Sequence, residues 1–391
     1  MSRLGILIIG YKNVSGIARL LESLNRVDFN GDKEITLIFS IDYSGDNSVQ
    51  QLASKYKWKY GKKIIKAHEK NLGLKKHILS CGNYLNEYGL DAMAVLEDDI
   101  YVAPEMYNYM KAAVEFYKDS EQIAGISLYK HEINLNAKHP FDEFKDGGDT
   151  FFIQYAMSWG QIWLRNQWNS FYEWYKEGKA DLMDKDTLPQ NLLKWKNSWL
   201  KYHIMYCIDA DKYFVYPRIA LTTDFSDIGA HNMSRTTSMQ IAFSTKKKGE
   251  WIFNKLDETK AIYDSFFENI KIKEYLKISD LVVDLYGVKK YDKNTRYVIT
   301  RRELPYKVLK SWGLFLRPIE ANIFYDIEGE EIRLYDLSVA MPQKKRNIFR
   351  KYYFEYDLKG LDILSIDNFI YCISKLKEAV IYKSRMYFNN K

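Results

Sequence analysis

The chain has 391 residues, of which 47% are hydrophobic and 28% are charged, a balance typical of a globular protein that buries a sizeable core. Its 20 Gly and 7 Pro exclude a collagen-like or low-complexity chain, and no apolar run reaches the roughly 18 residues that a membrane-spanning helix needs. The net charge is +7, and most of it lies in residues 343–391, where 11 Lys/Arg face 5 Asp/Glu.

The first 130 residues alternate predicted strands and helices. The helices show apolar residues at i, i+3, i+4 and i+7, as in Ile17, Leu20, Leu21 and Leu24. Such alternation predicts a mostly parallel sheet with helices on both faces and a ligand site beyond the carboxyl ends of the strands. A continuous apolar run, which suits a strand buried on both faces, predicts a strand at Leu4–Ile9, and further strands are expected at Ile35–Ile41, Lys62–Ala67, Ala92–Leu96 and Ile123–Leu128.

Beyond this region the alternation is lost, and residues 131–190 are rich in loops and aromatic side chains. We expect a helix over Asn191–Cys207, a strand over Tyr213–Thr223 and helical pattern from Lys246 to about Tyr286, followed by strand-like sequence. The change of character predicts a domain boundary near residue 243, with a domain over 1–243 and a mixed α+β region over 244–391.

Three polar features fall at the predicted carboxyl edge of the sheet: Gly10-Tyr11, Asp42 and the Glu97-Asp98-Asp99 triplet. Adjacent carboxylates repel one another, so the triplet favours a hard divalent cation such as Mg²⁺ or Mn²⁺. The alternative is a solvated acidic turn ahead of the Pro104 helix. Asp42 is suited to accept hydrogen bonds from a base or a ribose hydroxyl, and its alternative role is an Asx-turn or a helix N-cap.

The sequence lacks both G-x-G-x-x-G after the first strand and a P-loop, so a bound nucleotide would need a metal to neutralise its phosphates. His231 is a candidate metal or phosphate ligand, although a lone histidine is usually structural. Trp159 and Trp163 are one helical turn apart, which favours a core face, yet the Trp159 ring is also suited to approach a sugar.

In this order, the motifs resemble those of the GT-A glycosyltransferases, in particular family 2-like bacterial enzymes related to the N-acetylglucosaminyltransferase I group. LEDDIYVAPEMYNYM is similar to that group's metal strand and following helix. SWGQIWLRNQW resembles its W-G-W-A-T-W segment, with Gln161 in place of the second Trp. VYPRIALTTDFSDIGAHN resembles its stretch that ends in histidine, and the likeness covers about residues 3–233.

The resemblance implies an α/β, Rossmann-like GT-A fold and a bound nucleotide sugar, usually linked to UDP. It implies that Mn²⁺ or Mg²⁺ is the cofactor, ligated by Asp99 and contacted by His231. By the same likeness, Gly10 and Tyr11 would line the base and Asp42 would hydrogen-bond it. Asn71, Gly73 and Lys75 would approach the ribose and diphosphate, and Glu97 and Asp98 would contact the ribose or donor sugar.

An inverting transfer also needs a carboxylate base. The family's Asp-Asp-Trp stretch corresponds here to Asn197-Ser198-Trp199, so the base is not carried over. Asp186 and Asp227 remain candidate bases. The alternatives are a retaining enzyme or a base from the 131–149 loop.

We therefore expect a metal-dependent hexosyl- or N-acetylhexosaminyltransferase, inverting, that acts on a glycan or lipid-linked glycan acceptor in bacterial surface polysaccharide synthesis. The alternatives are a non-catalytic sugar-binding or scaffold protein of the same fold, and a sugar-1-phosphate nucleotidyltransferase.

Three distant cysteines, Cys81, Cys207 and Cys372, favour a reducing cytoplasm. The basic aromatic tail predicts contact with an anionic membrane surface on the cytoplasmic face rather than with nucleic acid, its alternative being a solvated helix face. The sequence leaves the oligomeric state open.

Overall fold

A computed structural model of the chain describes residues 2–196, 198–226, 237–341, 351–359, 365–366, 368–374 and 376–377. The chain divides into two compact units, Met1–Pro342 and Gln343–Lys391. No helix in these described ranges is long and apolar enough to cross a bilayer.

The strands, in chain order, are β1 (Leu4–Gly10), β2 (Thr36–Ile41), β3 (Lys63–Ala67), β4 (Ala92–Leu96), β5 (Ile100–Val102), β6 (Ile123–Ser127), β7 (Ile133–Asn134), β8 (His139–Pro140), β9 (Thr150–Ile153), β10 (Gln161–Leu164), β11 (Tyr213–Pro217), β12 (Thr222–Asp224), β13 (Ile262–Tyr263), β14 (Leu281–Asp284), β15 (Tyr297–Thr300), β16 (Tyr306–Trp312) and β17 (Ile332–Ala340). The helices are α1 (Val14–Leu24), α2 (Ser48–Lys55), α3 (Leu74–Cys81), α4 (Tyr84–Glu87), α5 (Met106–Tyr117), α6 (Arg165–Lys176), α7 (Gln190–Leu193), α8 (Trp199–Asp209), α9 (Lys271–Leu276), α10 (Ala321–Phe324) and α11 (Lys351–Asp357). Two 3₁₀ turns lie at Lys179–Leu182 and Lys185–Thr187.

A nine-stranded sheet in the order β13-β9-β11-β6-β10-β4-β1-β2-β3 forms the centre of the first unit. β4, β1, β2 and β3 run parallel, as does the β6–β11 pair. β10 is inserted antiparallel between β4 and β6. The sheet is thus mostly parallel, which confirms the α/β class expected from the alternating pattern.

Helices cover both faces of this sheet because the strand residues alternate between them. Ile6 and Ile8 share one core cluster with α1 residues such as Ile17 and Leu20. On the opposite face, the Ser40 hydroxyl lies 2.7 Å from Nε2 of His77 in α3. The carboxyl edge between these two layers is where the polar residues collect.

Trp159 and Trp163 do not share a helix, because Trp163 belongs to strand β10, but Trp163 is buried, as the core interpretation of that spacing expects. The predicted Asn191–Cys207 helix is in fact two helices, α7 and α8. Ser198 is the N-cap of α8, because its hydroxyl accepts a hydrogen bond from the Lys201 N–H.

The predicted Tyr213–Thr223 strand is also two elements, because β11 ends at Pro217 and β12 pairs with β5 instead of with the large sheet. The helical pattern expected from Lys246 to Tyr286 is mostly wrong, since only α9 is an α-helix there. The apolar residues that suggested it pack as side chains of an irregular segment, with the Trp251 ring 4.9 Å from that of Tyr109.

A second sheet, in the order β14-β15-β17-β16, follows within the first unit. Together with α9 and α10 it forms the mixed α+β region that the sequence indicates. The large sheet takes its edge strand β13 from residues 262–263, past the expected boundary near residue 243, and that boundary stays a prediction.

Candidate active site

The carboxyl ends of β1, β2 and β4 meet at one edge of the large sheet. Gly10 is paired with Ile41, and Ile8 with Leu96. The Asp42 N–H donates to the Gly10 carbonyl oxygen at 2.9 Å, which ties the two strand ends together. The residues that follow these strands, Tyr11, Asp42 and Glu97, therefore lie on the same edge, as the sequence predicts.

Asp42 is buried, and its carboxylate is held by backbone amides. Oδ1 accepts from the N–H of Tyr43 at 2.9 Å and of Leu72 at 2.8 Å, and Oδ2 accepts from the Gly73 N–H at 3.0 Å. This is neither the Asx-turn nor the cap of α2 that the sequence offered as alternatives, because two of the three donors come from the loop before α3 and the third is the adjacent Tyr43 amide. Of the roughly four acceptor positions of a carboxylate, one remains on Oδ2.

The loop from β3 to α3 and the first turn of α3 carry the three residues expected near the ribose and diphosphate. The Asn71 side-chain amide donates to the Tyr43 carbonyl oxygen at 2.9 Å. Gly73 has a φ of 73°, a conformation that favours glycine, and immediately precedes α3. The Lys75 ammonium lies 4.9 Å from the Tyr202 ring centroid, on the side of α3 that faces α8.

A fourth carboxylate joins the Glu97-Asp98-Asp99 triplet. β12 pairs antiparallel with β5, which sets Asp224 opposite Ile100, and the Phe225 N–H donates to the Asp99 carbonyl oxygen at 2.9 Å. We call Glu97, Asp98, Asp99 and Asp224 the acidic cluster. Sequence reasoning missed Asp224, because its only signal was an acid at the end of a short strand whose pairing partner lies more than a hundred residues away.

Burial and mutual repulsion dominate the electrostatics of the acidic cluster. Burial raises the pKa of Glu97 well above its usual value, and the charges of Asp99, Asp98 and Asp224 raise it further. The pKa of Asp99 is raised to about 8 by burial and then by Asp224 and Asp98. Asp224 itself is buried and accepts hydrogen bonds from the Ser226 N–H, at 2.9 Å, and the Ser226 hydroxyl.

The acidic cluster fits a hard divalent cation in its chemistry. Oδ1 of Asp99 is buried and has no hydrogen-bond partner, and all the donors are carboxylate oxygens, which Mg²⁺ and Mn²⁺ prefer. Within the described part of the chain, no group of three or more His, Cys, Asp or Glu side chains has the geometry to hold a metal. Mg²⁺ usually takes only one or two protein carboxylates and completes its shell with water and substrate phosphates, so two carboxylates such as Asp99 and Asp224 are sufficient.

Trp159 lies beside the acidic cluster. Its carbonyl oxygen accepts a hydrogen bond from the Thr222 hydroxyl at 2.6 Å, two residues before Asp224. Gly160 turns the chain with a φ of 89°, and a Cβ there would lie 2.7 Å from Cγ2 of Thr222. The half-buried Trp159 ring packs edge-on against Tyr129, with ring centroids 4.9 Å apart.

Of the two candidate bases and the second proposed metal ligand, Asp186 is the one that lies among the described residues. Asp186 lies in an exposed 3₁₀ turn and pairs with Lys290 at 2.8 Å, which lowers the pKa of its carboxyl and makes it a weak proton acceptor. Asp227, His231 and Asn197 lie outside the residues that the structure describes.

The sequence matches no protein-family model and no curated protein. Among solved structures it is similar to TarS 1-349 of S. aureus in complex with UDP-GlcNAc, with 18% identity over 64% of this chain and 60% of that one and a TM-score of 0.37. Mannosyltransferase PcManGT of Pyrobaculum calidifontis, in complex with GDP-Man and Mn²⁺, is 12% identical over 42% of this chain and 45% of its own, with a TM-score of 0.31. The glycosyltransferase GlyE of Streptococcus pneumoniae TIGR4 is 12% identical over 55% and 45%, with a TM-score of 0.31. The chain thus spans between 45% and 60% of the length of these structures.

Proposed function

We propose that the protein is a metal-dependent glycosyltransferase that moves a hexosyl or N-acetylhexosaminyl group from a nucleotide sugar to a glycan or lipid-linked glycan. The observation that carries this proposal is the acidic cluster, in which Asp224 joins the triplet after β4 at the edge that also holds Asp42. Ionisable side chains whose pKa values are strongly raised by burial, as those of Glu97 and Asp99 are, are typical of functional sites.

The donor lies along the carboxyl edge in this proposal, with its base at the ends of β1 and β2 and its diphosphate at the end of β4. Gly10 and Tyr11 line the base, and the free acceptor position on Oδ2 of Asp42 receives a base N–H. Asn71, Gly73 and Lys75 approach the ribose and diphosphate. Glu97, Asp98 and Trp159 contact the ribose or donor sugar.

Asp99 and Asp224 would hold Mn²⁺ or Mg²⁺, and His231 is proposed as a further ligand. When bound, the ion supplies positive charge that stabilises the departing nucleoside diphosphate. The protein's own part is to orient the donor and to bring an acceptor hydroxyl to a carboxylate base. Asp186 and Asp227 stay candidates for that base in an inverting transfer.

The setting proposed for this reaction is bacterial surface polysaccharide synthesis at the cytoplasmic face of the inner membrane. The basic residues of the second unit, interleaved with exposed apolar side chains such as Phe369 and Ile370, support an anionic lipid surface as the contact.

Nucleotide binding tests the proposal directly. We expect UDP or another nucleoside diphosphate to raise the melting temperature in the presence of Mn²⁺, since a ligand at about 100 times its Kd stabilises the native state by about 2.7 kcal/mol. Release of UDP from the matching UDP-sugar identifies transfer or hydrolysis, whereas release of pyrophosphate would identify a nucleotidyltransferase.

Asp99→Ala should abolish both the Mn²⁺-dependent thermal shift and UDP release. Asp119→Ala is the matched control, because Asp119 is an exposed carboxylate ahead of β6, at the opposite edge of the sheet. No shift with any nucleoside diphosphate in the wild-type protein would contradict the proposal.

A further inference from the structure

Two tyrosines lie exposed at the carboxyl edge of the sheet. Tyr11 directly follows β1 and is 40% exposed, and Tyr43 follows β2 by two residues and is 48% exposed. The hydrogen bond from the Asp42 N–H to the Gly10 carbonyl oxygen holds the two strand ends together. An exposed aromatic ring at the edge of the sheet where ligands bind offers an apolar face to a ligand, so both rings are candidates for a contact.

Their surroundings distinguish the two tyrosines. The Lys12 ammonium lies 5.0 Å from the Tyr11 ring centroid, so the Tyr11 ring already makes a cation–π contact. Among the residues that the structure describes, no aromatic ring or cation packs on the ring of Tyr43. Tyr43 therefore presents the more open stacking face.

The backbone of Tyr43 is fixed on both sides. Its N–H donates to Oδ1 of Asp42 at 2.9 Å, and its carbonyl oxygen accepts from the Asn71 side-chain amide at 2.9 Å. The same Asp42 carboxylate accepts from the amides of Leu72 and Gly73. One buried carboxylate thus joins the end of β2 to the loop before α3, which fixes the Tyr43 main chain and reduces the entropy that ordering the ring on a ligand would cost.

The strand order decides which part of a nucleotide sugar the ring would meet. The acidic cluster follows β4, and β1 separates β4 from β2. Two strand spacings amount to roughly 10 Å, so a ligand whose diphosphate lies at the acidic cluster extends its ribose across β1 and its base to the end of β2.

We propose that Tyr43 forms the stacking face for the nucleobase and that Asp42 is the positioning residue that holds Tyr43 in place. This inference rests on the proposed function and adds a base contact to it. Stacking of one base on an aromatic side chain contributes about 1–3 kcal/mol, equivalent to a change of roughly 5- to 150-fold in Kd.

Calorimetric titration with UDP and with pyrophosphate, both in the presence of Mn²⁺, tests the stacking contact. Tyr43→Ala should weaken UDP binding by roughly 5- to 150-fold and leave pyrophosphate binding unchanged, since pyrophosphate has no base. Tyr43→Phe should keep wild-type affinity for UDP. Tyr325→Ala, which removes a tyrosine that is 65% exposed from the region of the second sheet, is the control and should change neither affinity. Equal UDP affinity in Tyr43→Ala and wild type would overturn the proposal.

Amide hydrogen exchange of the nucleotide-free protein tests the positioning role without any ligand. Asp42→Ala should speed exchange at Tyr43, Leu72 and Gly73, the three amides that bond to its carboxylate, whereas Asp46→Ala in the neighbouring exposed loop should not. Unchanged exchange at these amides would show that Asp42 does not position Tyr43. Wild-type protein that binds pyrophosphate but not UDP would refute the base contact alone, and protein that binds neither would refute the proposed function with it.

Discussion

Burial and repulsion from neighbouring carboxylates both act on Asp99. Its Oδ1 has no hydrogen-bond donor, and Asp224 lies beside it as a second buried carboxylate. A carboxyl group with a raised pKa binds a proton more tightly in the folded chain than in the unfolded chain. Ionisation of Asp99 therefore costs folding free energy in the metal-free protein.

This cost predicts a pH dependence with a definite sign. The pKa of Asp99 is raised from its ordinary value to about 8, so its contribution to the stability of the metal-free protein should be fully present below about pH 4 and be lost progressively as the pH rises through 8. Asp99→Asn carries no charge at any pH, and we expect it to raise the melting temperature at pH 8 by about 2–4 °C and to flatten the profile. Asp119→Asn should follow the wild type, and a wild-type profile that is flat from pH 5 to pH 8 would contradict the prediction.

Part of this site is visible in the sequence because its residues are contiguous. Glu97, Asp98 and Asp99 follow an apolar strand directly, so their position at an edge follows from the pattern alone. Asp224 and the amide partners of Asp42 come from distant segments, and only the pairing of β12 with β5 and the path of the loop before α3 bring them close. Local pattern contains no information on such pairings.

At the scale of elements, the alternating strands and helices of the first 130 residues were predictable from the sequence. Strands inserted into the sheet from later in the chain, such as β10, were not. β1 and β4 are continuous apolar runs in parallel strands, for which burial on both faces explains the composition. β10 has only four residues, and Trp159 before it and Trp163 within it are separated by one helical turn in sequence by coincidence. Its identity as a strand depends on β4 and β6, which it joins in space.

The contact of α1 with the acidic turn gives a test at this scale. A Cβ on Gly16 would lie 2.2 Å from the Asp98 carbonyl oxygen, which is backbone and cannot rotate away. Gly16→Ala gains about 1 kcal/mol of helix propensity but overpacks a fixed contact at a cost of about 1–3 kcal/mol. We expect a net loss of about 1 kcal/mol in urea unfolding, together with weaker Mn²⁺-dependent UDP binding, because Asp98 is displaced.

Gly249→Ala provides the matched control for that measurement. A Cβ at Gly249 would meet no atom within 4 Å, so its free energy of unfolding should stay within about 0.5 kcal/mol of wild type. A Gly16→Ala protein as stable as this control, with unaltered UDP binding, would show that α1 does not support the acidic turn.

At the scale of the whole molecule, charge is divided unequally between the two units. The +6 of residues 343–391 leaves only +1 for the rest of the chain. In the described part of the second unit, the side chains of Ile366 and Phe369 are 78% and 59% exposed. Basic charge beside exposed apolar side chains is the composition of a surface that binds anionic lipid.

Vesicle sedimentation tests this division. The full chain should pellet with phosphatidylglycerol vesicles but not with phosphatidylcholine vesicles, and raised salt should release it, since screening weakens the attraction. A chain that ends at Pro342, the limit of the first compact unit, should stay in the supernatant. Equal sedimentation of the two proteins would exclude the second unit as the lipid contact.

The insertion of β10 between β4 and β6 has a consequence for biosynthesis. β4, β1, β2 and β3 emerge from the ribosome within the first 96 residues, while the strand that must bridge them to β6 begins at Gln161. At a translation rate of about 5–20 residues per second, the nascent chain exposes the unpaired edge of β4 for several seconds before its partner leaves the exit tunnel. An open edge of this kind can pair with other chains, so this interval is when the growing polypeptide most needs the protection of chaperones.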